Sequence, residues 1–131
     1  MVCLDTGILV ALLKCDPDSV DFVGKLENKG ERIKASAIFA YELIKGSLIS
    51  SKPEENLKLV GNMLSGVTVL TLNRSSSEFA ARIHGTLRKM GKIVGELDIL
   101  IAGICAYNDE LLVSRDSHFR EVGKALNLVS W

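Results

Sequence analysis

Four carboxylates stand where a carboxylate is out of place. Asp5 follows the apolar run Val2-Cys3-Leu4, and Glu42 lies inside SAIFAYELIKGSL. Asp98 opens LDILIAGICAYN, and Asp116 follows Leu111-Leu112-Val113-Ser114 in the segment SRDSHF. A carboxylate on an apolar surface is costly unless it is paired, protonated or bound to a metal. At helical spacing Glu42 has Ile38, Phe39, Gly46 and Ile49 as near neighbours, flanked by Lys45 and Ser47. Each acid also has a plain alternative: Asp5 and Asp116 as turn or capping residues, Asp98 as the N-cap of its helix, Glu42 as a rim residue paired with Lys45. Glu96 can share either role of Asp98. If the four meet, their repulsion raises their pKa values unless a cation joins them. Oxygen ligands without His or Cys suit Mg²⁺ or Mn²⁺, and such an ion polarises a phosphoryl group and activates water. The chemistry this implies is phosphodiester hydrolysis.

The elements that must position these acids follow from the apolar pattern. Strands are expected at Val2–Leu4, Arg32–Ala35, Val67–Leu72, Leu111–Ser114 and Leu128-Val129. Helices are expected at Gly7–Lys14, Ser19–Lys29, Ser36–Leu48 with Ser36 as cap, and from Pro53 to Gly66. Others are expected at Ser75–Met90 behind serine caps, Leu97–Asn108 and Ser117–Leu126. Short strands alternating with helices imply a parallel sheet covered by helices, with ligands at the C-terminal strand ends near a topological switch point. That architecture argues against an aspartic protease, whose Asp-Thr-Gly tripeptide is matched by Asp5-Thr6-Gly7 but whose fold is almost wholly antiparallel β.

The chain has 131 residues, the size of one domain, here expected to span 1–131. With 47% hydrophobic and 24% charged residues it is globular. Sixteen basic residues balance sixteen acidic ones, so any anionic substrate must be held by a local basic patch. No apolar run approaches the roughly 18 residues a membrane span needs, and no secretory signal is visible. Cys3, Cys15 and Cys105 form no zinc or CxxC spacing and read as small core residues in a reducing cytosol, which places the protein in the cytoplasm.

The acidic motifs together resemble those of the PIN-domain ribonucleases, and nearest the VapC-type toxins of toxin–antitoxin pairs. The likeness spans nearly the whole chain: LDTGILVALL matches the opening strand with Asp-Thr, and Tyr41–Gly46 (YELIKG) matches the helical Glu-Leu-x-x-Gly. Asp98–Ala102 (DILIA) matches Asp-x-x-Ile-Ala, Ser114–Phe119 (SRDSHF) matches Thr/Ser-x-Asp-x-x-Phe, and ALNLVSW resembles the closing strand with its tryptophan. Gly7 departs from the pattern, which often has Ser or Asn there. The resemblance implies a three-layer α/β/α fold around a mostly parallel five-stranded sheet. It further implies a Mg²⁺- or Mn²⁺-dependent endoribonuclease, a homodimer and an antitoxin protein that blocks the site. By position, Asp5, Glu42, Asp98 and Asp116 become the metal-binding carboxylates. Thr6 and Ser114 become hydroxyls that orient them.

An RNA entering a negative pocket needs cations at the rim. Lys45, Arg82, Arg88, Lys89, Lys92 and Arg115 are candidates, although a solvated helix end also favours cations. His84 and His118 are within the scope of phosphate contacts but fit surface positions equally well. Aromatics make up only 5% of the chain, so stacking of bases on aromatic platforms is not expected. Two other readings compete. A PIN-like scaffold that binds RNA without cutting it is opposed by the retention of all four acids. A phosphatase with Asp5 as nucleophile lacks the second acid of Asp-x-Asp, since Gly7 stands there.

Overall fold

The computed structural model describes residues 2–114 and 128–130. The elements run β1 (Val2–Leu4), α1 (Thr6–Leu13), α2 (Pro17–Asn28), β2 (Ile33–Ser36), α3 (Ala37–Leu48), α4 (Pro53–Ser65) and β3 (Thr68–Leu70). They continue through α5 (Arg74–Lys89), α6 (Glu96–Tyr107), β4 (Leu111–Ser114) and β5 (Leu128–Ser130). The five strands form one sheet in the order β3-β2-β1-β4-β5, and every neighbouring pair is parallel. β1 lies at the centre. The chain builds outward from it through β2 to β3, then returns to its other side with β4. The β1/β4 boundary is therefore the switch point at which an open parallel sheet offers a crevice beyond its strand ends.

Local chemistry explains most boundaries. Asp16 accepts from the Ser19 amide at 3.0 Å, and Pro17 opens α2. Ser36 accepts from the Phe39 amide at 3.1 Å, which starts α3 as its sequence predicts. α5 begins one residue before the expected serines. Its cap is Asn73, joined to Ser76 in a reciprocal capping box. Gly91, at φ +71°, follows the end of α5 in a conformation that favours glycine. The helix expected at Ser117–Leu126 lies outside the described residues.

Two expectations need correction. Asp98 is not the N-cap of α6: that position belongs to Gly95, and Asp98 sits inside the first turn. Its charge still favours the positive end of the helix dipole. Cys15 is not a core residue. It is exposed, in a left-handed turn at φ 56° after α1, because the apolar face of that helix ends before it. Cys3 and Cys105 are fully buried as expected, side by side between β1 and α6, and the neighbouring thiol and burial hold Cys3 well above its ordinary pKa.

The core centres on Leu4, Ile8, Leu9, Phe39, Ile101 and Leu112, all nearly inaccessible. A second cluster, Ala80, Ile83, Leu87, Ile99 and Ala102, seals α5 against α6. No helix of the described residues is long and apolar enough to cross a membrane.

Candidate functional site

β1 ends at the switch point and hands the chain to α1 through Asp5. That residue is only 4% exposed. One carboxylate oxygen, Oδ1, accepts from the Ile8 amide at 2.9 Å and so caps α1. The other, Oδ2, accepts a short hydrogen bond from the buried Ser114 hydroxyl at the end of β4. The Asp5 amide donates to the Val113 carbonyl at 3.1 Å. The capping role and the site role expected of Asp5 thus coexist in one side chain. Gly7 leaves space beside it, since a Cβ there would stand 3.5 Å from Oδ1.

Glu42 comes from the middle of α3 and Asp98 from the first turn of α6; both are half-buried. Burial pushes the Glu42 carboxyl above its ordinary pKa, and the charges of Asp98 and, more weakly, Asp5 push the same way. Lys45 and the Thr6 hydroxyl oppose that shift. Asp5, Glu42 and Asp98 therefore feel one another across the crevice. Thr6 Oγ1 lies within this field but is buried without a partner in full hydrogen-bond geometry. Among the described residues the acids do not close into a ready-made set of three ligands for a metal ion. Asp116, the fourth expected acid, lies outside the described residues, as does Arg115. Oxygen donors that repel one another, next to an unsatisfied buried hydroxyl, nevertheless fit a hard divalent cation.

The other expected residues separate. Glu96 is exposed on the first turn of α6, and residues two apart do not share a helix face. Lys45 is exposed, with its ammonium 5.1 Å from the centroid of the Tyr41 ring. It borders the site without pairing directly with Glu42 in the way the rim reading expects. Arg82 is engaged with Glu78 at 2.9 Å along α5. Arg88, Lys89 and Lys92 are exposed around the turn that leads to Asp98, and His84 is exposed on α5.

The sequence gives no warning of a groove of about 500 Å³ that opens beside Thr6 and Glu42. Val10 and Leu13 of α1, Leu43 of α3 and Leu59 of α4 help to wall it, and Ser50 and Asn56 add polar groups. Leu59 on α4 is left 51% exposed at its wall.

The sequence pattern of the PIN domain matches residues 2–125. The chain is 31% identical over 121 residues to the tRNA(fMet)-specific endonuclease VapC of Shigella flexneri, covering 92% of this chain and 90% of that protein. It is 29% identical over 128 residues to Ribonuclease VapC2 of Haemophilus influenzae, covering 98% and 96% of the two chains. A solved structure of VapBC2 from Rickettsia felis bound to a promoter DNA fragment superimposes with a TM-score of 0.89 at 25% identity, covering 100% of this chain and 99% of that one. The parallel sheet, the acids at its switch point and this whole-length similarity agree: the chain belongs to the PIN-domain family, among the VapC ribonucleases.

Proposed function

We propose that this chain is a single PIN domain, spanning residues 1–131, that hydrolyses RNA phosphodiester bonds with the help of Mg²⁺ or Mn²⁺. Asp5, Glu42, Asp98 and Asp116 are its metal-binding carboxylates. The observation that carries the reading is the meeting of Asp5, Glu42 and Asp98 at the switch-point crevice, where burial first, and then the charges of Asp98 and Asp5, push the Glu42 carboxyl above its ordinary pKa. A fold leaves such repulsion in place where a cation is due to relieve it. When bound, the cation supplies polarisation of the scissile phosphate and acidification of the attacking water.

The protein's own groups do the placing. Ser114 and the Ile8 amide fix both oxygens of Asp5, so its carboxylate presents one orientation. Thr6 favours the ionised form of Glu42. Lys45, with Arg88, Lys89, Lys92 and Arg115, provides positive charge for the RNA backbone, whereas Arg82 first has to leave Glu78. The relatives and solved neighbours support a toxin–antitoxin role with an antitoxin protein as partner; a second copy of the chain and action in the cytoplasm complete the reading. The groove beside Glu42 supports a blocking partner, since anything lying in it stands next to the acids.

Cleavage of a fluorescent RNA in Mg²⁺, Mn²⁺ or EDTA, beside a chromogenic phosphomonoester, tests the function. The expected result is cation-dependent cutting of RNA and an inert monoester. Asp98→Asn is expected to lower cleavage at least 10²-fold with an unchanged circular dichroism spectrum, on the scale of removing one transition-state contact. Cleavage that persists in EDTA or in Asp98→Asn overturns the proposal. RNA binding without any cleavage favours the scaffold.

A further inference from the structure

Residues 91–95 join α5 to α6, and the connection is fastened at both ends. The Gly91 amide donates to the Arg88 carbonyl at 3.0 Å and the Lys92 amide to the Leu87 carbonyl at 2.9 Å, the paired bonds that close a helix behind a left-handed glycine. At the other end Gly95 is the N-cap of α6, and its carbonyl accepts from the Ile99 amide at 3.1 Å. Val94 is half-buried and packs against the cluster between α5 and α6. Ile93, beside it, is 100% exposed. A pinned backbone thus holds one aliphatic side chain wholly in solvent.

This connection borders the acids. A Cβ on Gly95 would stand 3.6 Å from Oδ2 of Asp98. Two peptide units separate the Cα atoms of Gly95 and Ile93, a span of at most about 7–8 Å. A stacked strand of nucleic acid repeats about every 3.4 Å, so Ile93 lies within a few nucleotides of a phosphate seated at the acids. Arg88, Lys89 and Lys92, all exposed, bring positive charge to the same turn. Such charge holds a backbone but does not read bases. Aliphatic side chains do touch bases, and isoleucine is among those used as wedges against unstacked ones. The exposed aromatic pair of these two helices, Phe79 with Tyr107, lies at their other end from Asp98 and leaves that contact to Ile93. The cations also disfavour a protein as occupant, since lysine is depleted at the centre of protein interfaces.

We propose that Ile93 packs against a base of the RNA within a few nucleotides of the bond that is cut, and so sets which nucleotide is accepted there. The inference rests on the nuclease reading above and adds a contact with a base to the phosphate contacts of the cations. Covering Ile93 with a base removes apolar surface of both from water. A β-branched side chain has few rotamers to lose, and the backbone beneath it is already fixed, so ordering costs little.

The test uses the full chain and short single-stranded RNA of random sequence, cut in Mn²⁺, with sequencing of the new ends. The wild type is expected to favour particular nucleotides at one position near the cut. Ile93→Ser is expected to flatten that preference and leave Tm unchanged, raising KM about fivefold with kcat within about twofold, on the scale of one base contact. Ile93→Leu is expected to restore both preference and KM. Affinity is read separately, by fluorescence anisotropy in the Asp98→Asn background, for one defined RNA carrying an abasic site at each position in turn. Removing the contacted base and removing the Ile93 side chain are expected not to add, whereas removal of bases elsewhere adds. A wild type without preference near the cut, an Ile93→Ser variant with unchanged preference and affinity, an effect that adds equally at every position, or a fall in Tm overturns the proposal. So does loss of a dimer, or of sedimentation with anionic vesicles, in Ile93→Ser with RNA binding intact, because a second copy or a membrane then covers the residue. The two readings fail separately. A chain that binds RNA through Ile93 but cuts none sinks the nuclease and leaves the base contact, and cation-dependent cutting indifferent to Ile93 does the reverse.

Discussion

Two regions of the molecule take carboxylates out of water, and they treat them in opposite ways. On the sheet, Glu110 is 4% exposed and pairs directly with Lys34 of β2, whose side chain is itself 14% exposed. The fold supplies that acid with its own cation. At the switch point, Asp5, Glu42 and Asp98 come together, and Lys45, which acts on Glu42, lies over an aromatic ring at the rim. Hydroxyls and amides hold Asp5 there, and Lys45 and Thr6 act on Glu42 against the push of burial and the other acids. Glu110 has its countercharge in direct contact, whereas Glu42 meets other acids first and its lysine only at the rim, the kind of imbalance that marks a candidate site.

Substitutions at Lys34, Asp5 and Glu42 test this contrast. The largest effect on stability is expected at the closed pair. Lys34→Met leaves Glu110 charged and buried, and should cost about 3–5 kcal/mol, a fall in Tm of roughly 10 °C or more. Cleavage per folded molecule should be unchanged, and adding Glu110→Gln should recover much of the loss. Calorimetry that finds Lys34→Met neutral would remove one side of the comparison.

Asp5 belongs to both regimes, since it is fully hydrogen-bonded yet stands in the acidic site. Asp5→Ala should cost about 2 kcal/mol, through the lost cap of α1 and the lost hydrogen bond from Ser114, and should abolish cleavage. Asp5→Asn keeps an acceptor for the Ile8 amide, so stability should largely return while activity does not. Recovery of both by Asn would make Asp5 a cap and nothing more.

The smallest effect on stability is expected at Glu42. Its folded pKa is raised above the ordinary 4.5, so the folded state binds more protons than the unfolded chain between those two values. Stability without metal should therefore fall as pH rises through that window, and Glu42→Gln should flatten the slope and leave the metal-free protein at least as stable as wild type at neutral pH. Affinity for Mn²⁺ should run the other way, rising with pH as Glu42 ionises. Urea midpoints across that range decide the matter, and identical slopes for the variant and the wild type would mean that Glu42 feels no repulsion.

The meeting of Asp5, Glu42 and Asp98 was foreshadowed because each interrupts or borders an apolar run, which is visible without coordinates; Asp116 lies outside the described residues. The strand–helix alternation was equally legible, and the strand bounds came within two residues because turn and cap residues mark them. The pairing of Lys34 with Glu110 was not, because the two lie 76 positions apart and neither interrupts an apolar run. Nor was the role of Gly95: the string LDILIA reads as if Asp98 capped α6, and only the backbone path shows the cap three residues earlier. Cys15 misled for a related reason, since its apolar neighbours belong to a helix that has already turned away.

By itself, the sequence determined the alternating architecture and the family, and it named the candidate acids, since periodicity, caps and motif order are all written along the chain. The tertiary structure alone decided the strand order 3-2-1-4-5 and, through it, that Asp5 and Ser114 meet across the β1/β4 boundary. It also decided that Glu42 shares its field with Asp98 and Asp5, and that a groove opens beside it. The physical reason is range. Local propensities act over a few residues, whereas repulsion between carboxylates and the shape of a groove depend on distances that exist only once the sheet is assembled.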